Sequence, residues 1–258
     1  MSTTASYCTH IDNWYINCIF VNMKAWLLLL LAVPGLMLAQ SPTAAALYGE
    51  GVRAYYDGSY EAALKKYNEA IQLKPNTIGF LYNRGLTYRK LNHENTASLD
   101  FQKIIGLDSN YIDAWYQLGM IKMSENKYDD ARELFQQALG ISAKHIPSLH
   151  QMAILLYYKR LNTDAEDMYN RILDLDPKDE QAYYRRGLAK FNATDFQGAI
   201  ADMTSAYGIN PNNTQALEQR AITYQRLNDL DHACQDWHEL LTKQNPRAQE
   251  NITKYCTK

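Results

Sequence analysis

The stretch WYQLGMIKMSENKYDDARELFQQA, residues 115–138, decides the fold. Two apolar patterns lie in it, one on either side of the polar segment SENK. Trp115 precedes Gly119 by four residues in the first pattern, and Ala131 precedes Phe135 by four residues in the second. Because residues four apart lie on one face of an α-helix, each pattern predicts a helix. A small residue on each helix lets two backbones approach closely, so the stretch predicts a packed helix pair.

The same pattern recurs along the chain at one constant interval, which predicts a repeat architecture. The position of Gly119 is small in every copy: Gly51, Gly85, Gly119, Ala153, Gly187 and Ala221. The position of Ala131 is alanine in every copy: Ala63, Ala97, Ala131, Ala165, Ala199 and Ala233. Four residues later stands a large apolar side chain: Tyr67, Phe101, Phe135, Tyr169, Met203 or Trp237. One unit cannot bury its apolar face alone, so stacked units are expected to share a continuous core.

This unit resembles the tetratricopeptide repeat (TPR), a helix–turn–helix unit of about 34 residues. The third copy matches the family pattern W-x2-L-G followed by A-x3-F most literally. Pro75, Pro177 and Pro211 stand at the proline position that ends the unit, because proline cannot continue a helix. The second and third copies lack this proline, and Pro246 of the sixth lies one place late. The repeats are set at 44–77, 78–111, 112–145, 146–179, 180–213 and 214–247.

The resemblance implies an all-α, right-handed solenoid, and a capping helix is predicted after the last repeat. Ala248, Ile252 and Tyr255 fall on one helical stripe among polar residues within 248–258. An amphipathic helix of this kind covers the open end of a solenoid. The same register assigns seven tyrosines to packing between helices: Tyr60, Tyr67, Tyr88, Tyr128, Tyr169, Tyr183 and Tyr224.

In the TPR family the first helices line a concave groove that binds peptides, helices or loops. Carried onto this chain, the groove positions are Tyr48, Tyr55, Tyr82, Leu86, Arg89, Tyr116, Met120, His150, Tyr157, Tyr184, Arg185 and Phe191. The set is aromatic and aliphatic, a mixture that suits a protein or peptide partner. The alternative is that these tyrosines only pack between adjacent first helices.

Two cysteines, Cys234 and Cys256, lie at the end of the repeat array. In an exported protein such a pair favours a disulfide, and the segment around them resembles the tail of some exported bacterial TPR proteins. The alternative is a redox or metal protein that uses Cys234 and Cys256, with His232 and His238 close by in sequence. Motifs for acyl transfer, phosphate binding or zinc proteolysis are absent from the sequence, so no enzyme, cofactor or metal site is predicted.

The N-terminal segment predicts export. Lys24 precedes the apolar run 25–39, and Ala39 is the expected residue before cleavage, as in a secretory signal peptide. A signal beginning at Met23 has ordinary length, so residues 1–22 are interpreted as a mis-assigned start or a cytoplasmic tail, and 23–39 as the signal. The alternative is an uncleaved membrane anchor over residues 16–39. The expected location is periplasmic or secreted.

Charge argues against nucleic-acid binding, because 26 basic and 28 acidic residues leave a net charge of −2. The sequence therefore predicts a non-enzymatic scaffold or adaptor of the cell envelope that binds an unidentified protein through its groove. Two alternatives keep the same solenoid: a membrane-anchored assembly factor, and self-association through the groove or the first repeat. Tyrosine is unusually frequent, at 20 of 258 residues, and the register divides most of the tyrosines between packing and groove positions.

Overall fold

The computed structural model of the chain describes residues 42–256. The predictions for 1–22 and 23–39, and the anchor alternative over 16–39, concern residues outside this range. Within it, all regular structure is α-helical, and none of the helices has the length and apolar character needed to cross a membrane.

Thirteen helices follow one another along the described chain. They are α1 (Ala44–Tyr56), α2 (Tyr60–Leu73), α3 (Ile78–Lys90), α4 (Glu94–Leu107), α5 (Ile112–Ser124), α6 (Tyr128–Ile141), α7 (Ile146–Tyr158), α8 (Asn162–Leu175), α9 (Glu180–Asn192), α10 (Phe196–Ile209), α11 (Thr214–Arg226), α12 (Leu230–Thr242) and α13 (Ala248–Tyr255).

The helices form pairs that repeat with the period of the sequence. The first helices of the pairs begin at equal intervals along the chain, at Ala44, Ile78, Ile112, Ile146, Glu180 and Thr214. Each first helix packs against the second helix of its own pair, and from α3 onwards also against the second helix of the preceding pair. The helix α13 packs on α12 at the C-terminal end. Contacts limited to sequence neighbours define a solenoid, so the prediction of an all-α TPR solenoid is confirmed.

The turn inside each pair contains one residue in the left-handed conformation. These residues are Gly58, Asn92, Asn126, Arg160, Thr194 and Asn228, with φ between 59° and 77°. In the second unit the N–H of His93 then bonds the carbonyl of Tyr88, which closes the end of α3. Glycine and asparagine tolerate this conformation with little strain, whereas arginine and threonine do not.

The two helices of a pair touch at the small residue predicted from sequence. A Cβ added to Gly119 would lie 2.5 Å from the Phe135 ring, and a Cβ added to Gly85 would lie 2.9 Å from the Phe101 ring. Both rings are completely buried. The large residue of the second helix therefore packs directly over the glycine of its own first helix.

Replacing Gly119 with alanine is expected to destabilise the protein by about 1–3 kcal/mol, because the new methyl overpacks the contact with Phe135. Gly140, on the exposed face of α6, has no neighbouring atom within 4 Å of an added Cβ. Gly140→Ala is the matched control and is expected to stabilise by up to about 1 kcal/mol through helix propensity alone. Urea unfolding of the two variants measures the contrast, and equal effects would contradict this packing.

Buried ion pairs join the two helices in three of the units. We call them the arginine bridges: Arg84–Asp100, Arg186–Asp202 and Arg220–Asp236. Each guanidinium donates to both oxygens of its aspartate, at donor–acceptor distances of 2.5–2.9 Å. The aspartates are only 3–5% exposed. A bidentate pair of this kind holds the two helices in one mutual orientation.

Each arginine of a bridge also reaches the preceding unit. Arg84 donates to Asn68 at 2.8 Å, Arg186 to Asn170 at 2.7 Å and Arg220 to Thr204 at 3.2 Å. One side chain thus connects three helices and sets how one unit sits on the next.

The remaining units have different side chains at the two bridge positions. The first unit reverses the charges, with Lys66 Nζ 2.6 Å from a Glu50 oxygen. The third unit has the apolar pair Leu118 and Leu134, and the fourth has Met152 and Met168. The middle of the solenoid is therefore held at these positions by apolar packing alone.

Replacing Arg220 with methionine is expected to destabilise the protein by about 3 kcal/mol or more, because it leaves Asp236 buried without its partner. The double variant Arg220→Met/Asp236→Met copies the fourth unit and should recover most of that loss. Burial already raises the pKa of Asp236 above its ordinary value, so the folded state of the single variant should tolerate pH 4 better than pH 7. Denaturant unfolding measures these effects, and a double variant no more stable than the single would contradict this account.

Candidate functional site

One residue at the same place in successive first helices forms a row along the solenoid. We call it the tyrosine row: Tyr48, Tyr82, Tyr116, His150 and Tyr184. Each ring packs on the large buried residue of its own unit where that residue is aromatic. The ring centroids of Tyr82 and Phe101 are 5.9 Å apart, and those of Tyr116 and Phe135 are 5.8 Å apart. The row is thereby anchored on the core while one side of each residue remains accessible.

Hydrogen bonds connect the row from unit to unit. Asn83 Nδ2 donates to the Tyr48 hydroxyl at 2.6 Å, and Gln117 Nε2 donates to the Tyr82 hydroxyl at 3.5 Å. Among the residues described, neither hydroxyl donates to an acceptor. Each hydroxyl can therefore still donate its O–H to another group.

Three phenols of the row have a raised pKa. Burial raises the pKa of Tyr82 to about 12, although the hydrogen bond from Gln117 acts in the opposite direction. Burial also raises the pKa of Tyr116 and Tyr184 above their ordinary value. Tyr82, Tyr116 and Tyr184 therefore present neutral rings and hydroxyl donors at physiological pH.

His150 replaces tyrosine in the fourth unit and contacts the next unit differently. Its Nε2 lies 2.7 Å from Asp179 Oδ2. Asp179 is also the N-cap of α9, where its other oxygen accepts the N–H of Ala182 at 2.8 Å. The fourth position of the row is therefore a polar junction between α7 and α9.

The other predicted groove residues lie on the same helices. All twelve predicted residues are half-buried: Tyr48, Tyr55, Tyr82, Leu86, Arg89, Tyr116, Met120, His150, Tyr157, Tyr184, Arg185 and Phe191. A half-buried side chain can pack between adjacent first helices and still line a groove. The two interpretations made from sequence, packing and groove lining, are therefore compatible.

Hydrogen bonds and ring contacts position several of these side chains. Arg89 donates to Gln117 of the next unit and, at 3.3 Å, to Glu94. Tyr157 accepts a hydrogen bond from Asn192 at 2.9 Å, again across a junction between units. Phe191 packs edge-on against Phe196 with ring centroids 5.4 Å apart. These contacts restrict the rotamers of the lining residues before a partner binds.

A small hollow at the junction of the fifth and sixth units contains part of the lining. It has a volume of about 370 Å³, and Tyr184, Arg185, Glu180 and Asn213 are among its lining residues. Asn213 Nδ2 bonds a Glu180 oxygen across this junction. The hollow is polar, so it suits hydrogen-bonding groups of a partner better than an apolar anchor.

One packing assignment made from sequence is wrong. Tyr128 begins α6 at a position where the register expects packing, yet 46% of it is exposed. Its hydroxyl donates to Asn126, two residues earlier, so the ring lies over the turn and outside the core. Tyr56 and Tyr158 are more exposed than Tyr128, at 83% and 73%.

The arginine bridges were not predicted, although the sequence contains a signal for them. Arg186 and Arg220 are one repeat apart, as are Asp202 and Asp236. Charged residues in one register on both helices of a unit could have indicated the pairing. The bridges orient the units that carry the row and are not themselves part of its surface.

The two cysteines lie next to each other at the C-terminal cap. Cys234 is on α12 and Cys256 directly follows α13, with Cα atoms 5.7 Å apart, a separation that a disulfide can span. The rings of Trp237 and Tyr255 stack beside the two cysteines at 5.5 Å. Ile252 is buried between the two helices, so apolar contact holds α13 against α12.

The histidines near this pair are engaged with other groups. His238 Nδ1 lies 2.7 Å from the Cys234 carbonyl oxygen, and His232 Nδ1 lies 2.8 Å from Asp229 Oδ2. Across residues 42–256, no group of three or more His, Cys, Asp or Glu side chains is placed to hold a metal ion.

Known proteins of solved structure share this fold. Pseudomonas aeruginosa PilF is 13% identical, with a TM-score of 0.68 over 82% of this chain and 97% of that one. YrrB, described as a TPR protein with an unusual peptide-binding site, is 17% identical, with a TM-score of 0.62 over 72% and 97%. MamA of Desulfovibrio magneticus is 17% identical, with a TM-score of 0.60 over 64% and 93%.

A sequence relative of curated function is a co-chaperone of Cryptococcus neoformans with tetratricopeptide repeats and a J domain. It is 35% identical over 85 residues, which are 30% of this chain and only 16% of the co-chaperone.

Family models cover more than half of the chain. The TPR repeat model matches residues 53–92, and tetratricopeptide repeat models match 122–191, 78–111 and 180–213. Proteins of this family mediate protein–protein interactions and are typically non-catalytic. The chain belongs to the tetratricopeptide repeat family.

Proposed function

We propose that this protein is a non-enzymatic scaffold or adaptor that binds a segment of another protein along the tyrosine row and acts in the cell envelope after export. The observation that carries the proposal is the recurrence of tyrosine at this position in four of the first five units. Tyr48 and Tyr82 are tied to the next unit through their hydroxyls, yet keep an O–H and part of the ring accessible.

A protein segment is the ligand that fits this chemistry best. Accessible aromatic and aliphatic groups supply apolar contact area, and hydroxyl and amide groups beside them can bond a peptide main chain. The rings are held by the core and by the neighbouring unit, so little side-chain freedom is lost when the partner binds.

The named functions of similar proteins support the class of partner. YrrB has a peptide-binding site, and the sequence relative is a co-chaperone. Both are analogies between proteins that share a fold, so the identity of the partner here must come from experiment.

Glutamates placed in the groove should prevent binding. Alanine at Tyr82, Tyr116 and Tyr184 would remove rings that support the core, so a charge in the lining is the sharper change. Leu188 stands at the position of Met120 two repeats later and is likewise half-buried. Met120→Glu with Leu188→Glu is expected to reduce partner capture at least tenfold, because a carboxylate resists burial under a partner. Affinity capture from the native host with mass spectrometry measures the loss.

A matched pair on the second helices controls for added charge. Leu99 and Leu241 are 64% and 39% exposed on α4 and α12, and Leu99→Glu with Leu241→Glu should leave capture unchanged. Thermal melting of both variants establishes that each is folded. A folded groove variant that still captures the same partners would overturn the assignment, and a captured second copy of this chain would identify self-association.

Export and the disulfide can be tested in one measurement on the native protein. The intact mass under non-reducing conditions should correspond to a chain that begins at Gln40 and contains no free thiol. The loop between Cys234 and Cys256, with a sequence separation of 22, would then stabilise the cap by about 3 kcal/mol. A chain that retains residues 16–39 would support the membrane anchor, and two free thiols would favour the redox or metal alternative.

A further inference from the structure

An open apolar hollow lies where the third and fourth units meet. We call it the Tyr158 hollow, and its volume is about 450 Å³. It is lined by Met123, Tyr128, Leu155, Tyr158 and Lys159. Tyr158 and Tyr128 are exposed aromatic residues, at 73% and 46%. Neither ring is needed to fill the core, so both are free to contact a ligand.

A polar hollow of about 350 Å³ also has Tyr158 in its lining. It is lined by Tyr157, Tyr158, Arg160, Asn162 and Asn192. Because Tyr158 lines both hollows, a single short segment can place one group in each. The group in the Tyr158 hollow would be apolar, and the group in the polar hollow would face the hydrogen-bond donors of Arg160, Asn162 and Asn192.

Arg160 supplies an unpaired positive charge at this place. Among the residues described, no carboxylate or carbonyl accepts a hydrogen bond from its guanidinium, and no acidic group lies within ion-pair distance. Its neighbour Lys159 has an acidic partner, since Lys159 Nζ lies 2.6 Å from Asp129 Oδ1. Within residues 42–256, Arg160 is thus a cationic side chain beside Tyr158 without an acidic partner, and it lines the polar hollow.

The backbone shows that arginine is not the residue this turn prefers. Arg160 has φ of 60°. The same position is Gly58, Asn92, Asn126 or Asn228 in four units and Thr194 in the fifth unit. A long side chain with a Cβ is strained in this conformation, whereas glycine and asparagine are not. Arginine therefore costs this turn some stability, which asparagine at the same position would restore.

The junction beneath the hollows is adaptable. The fourth unit has Met152 and Met168 in place of an arginine bridge, and Met123 lines the hollow itself. Methionine side chains repack readily around different apolar shapes. The floor of the site can therefore adjust to a ligand without breaking a buried ion pair.

We propose that this junction binds an acidic peptide segment in which an apolar side chain stands next to a carboxylate. The apolar side chain enters the Tyr158 hollow, and the carboxylate pairs with the Arg160 guanidinium in the polar hollow. This inference rests on the proposed function, since it names the chemistry of one part of the bound partner. A chain-terminal carboxylate and an aspartate side chain would both satisfy it.

Three synthetic peptides distinguish the two sources of the carboxylate. The probes are acetyl-Gly-Ser-Gly-Ser-Phe with a free terminus, the same peptide as its amide, and acetyl-Gly-Ser-Phe-Asp-Gly-Ser amide. Binding is followed by NMR titration of protein labelled at the tyrosine rings, which reports directly on Tyr158 and Tyr128. At least one carboxylate probe should shift the Tyr158 resonance, and the amide without carboxylate should bind at least about tenfold more weakly.

Arg160→Asn separates binding from folding, because its two expected effects have opposite signs. The variant should melt about 1–3 °C higher, since asparagine suits the left-handed turn. It should also bind the carboxylate probe about tenfold more weakly. Tyr158→Ala should weaken binding as well, whereas Tyr56→Ala, at the same position of the first unit, should not.

The proposal is overturned if no probe shifts Tyr158, if the amide binds as well as the acids, or if Arg160→Asn binds unchanged. The same variants distinguish a failure of this subsite from a failure of the proposed function. If Met120→Glu/Leu188→Glu loses the host partners while Arg160→Asn and Tyr158→Ala retain them, the tyrosine row is supported and this subsite is rejected.

Discussion

The close contact between the two helices of each unit is the constraint on which the rest of the structure depends. At Gly51, Gly85 and Gly119 an added Cβ would lie 2.5–2.9 Å from the buried ring of the second helix. At this separation the ring fills the space that the missing side chain leaves, and the two backbones are held at a defined distance. Three such ring contacts and the contact of Gly187 with Met203, all in one register, give the tyrosine row its regular spacing along the first helices.

The arginine bridges fix how the helices of a unit are oriented relative to each other. They are present in only some of the units. Arg84, Arg186 and Arg220 each bond the preceding unit as well as their own second helix. The third and fourth units have apolar residues at the same positions. A buried ion pair restricts geometry more than it adds stability, so the middle of the solenoid is the part most able to adapt to a partner.

The tyrosines of the row serve the fold and the surface at once. Their rings pack on the core, the hydroxyls of Tyr48 and Tyr82 accept hydrogen bonds from the next unit, and part of each ring remains accessible. Their role in binding is therefore difficult to separate from their role in packing by removing the ring. Tyr158 and Tyr128 lie outside this arrangement, because neither ring is buried in the core.

The amino-acid sequence by itself determined the helix pairs, their period and the residues that pack between them, because small and large residues four apart recur with a fixed spacing. It also placed Cys234 and Cys256 where the cap meets the last unit. Only the tertiary structure decided that Arg220 joins Asp236 and Thr204, that Tyr128 is exposed, and that Arg160 and Tyr158 line one hollow. A periodic pattern specifies which face of a helix is buried, whereas the partners of a long polar side chain depend on how neighbouring units stack.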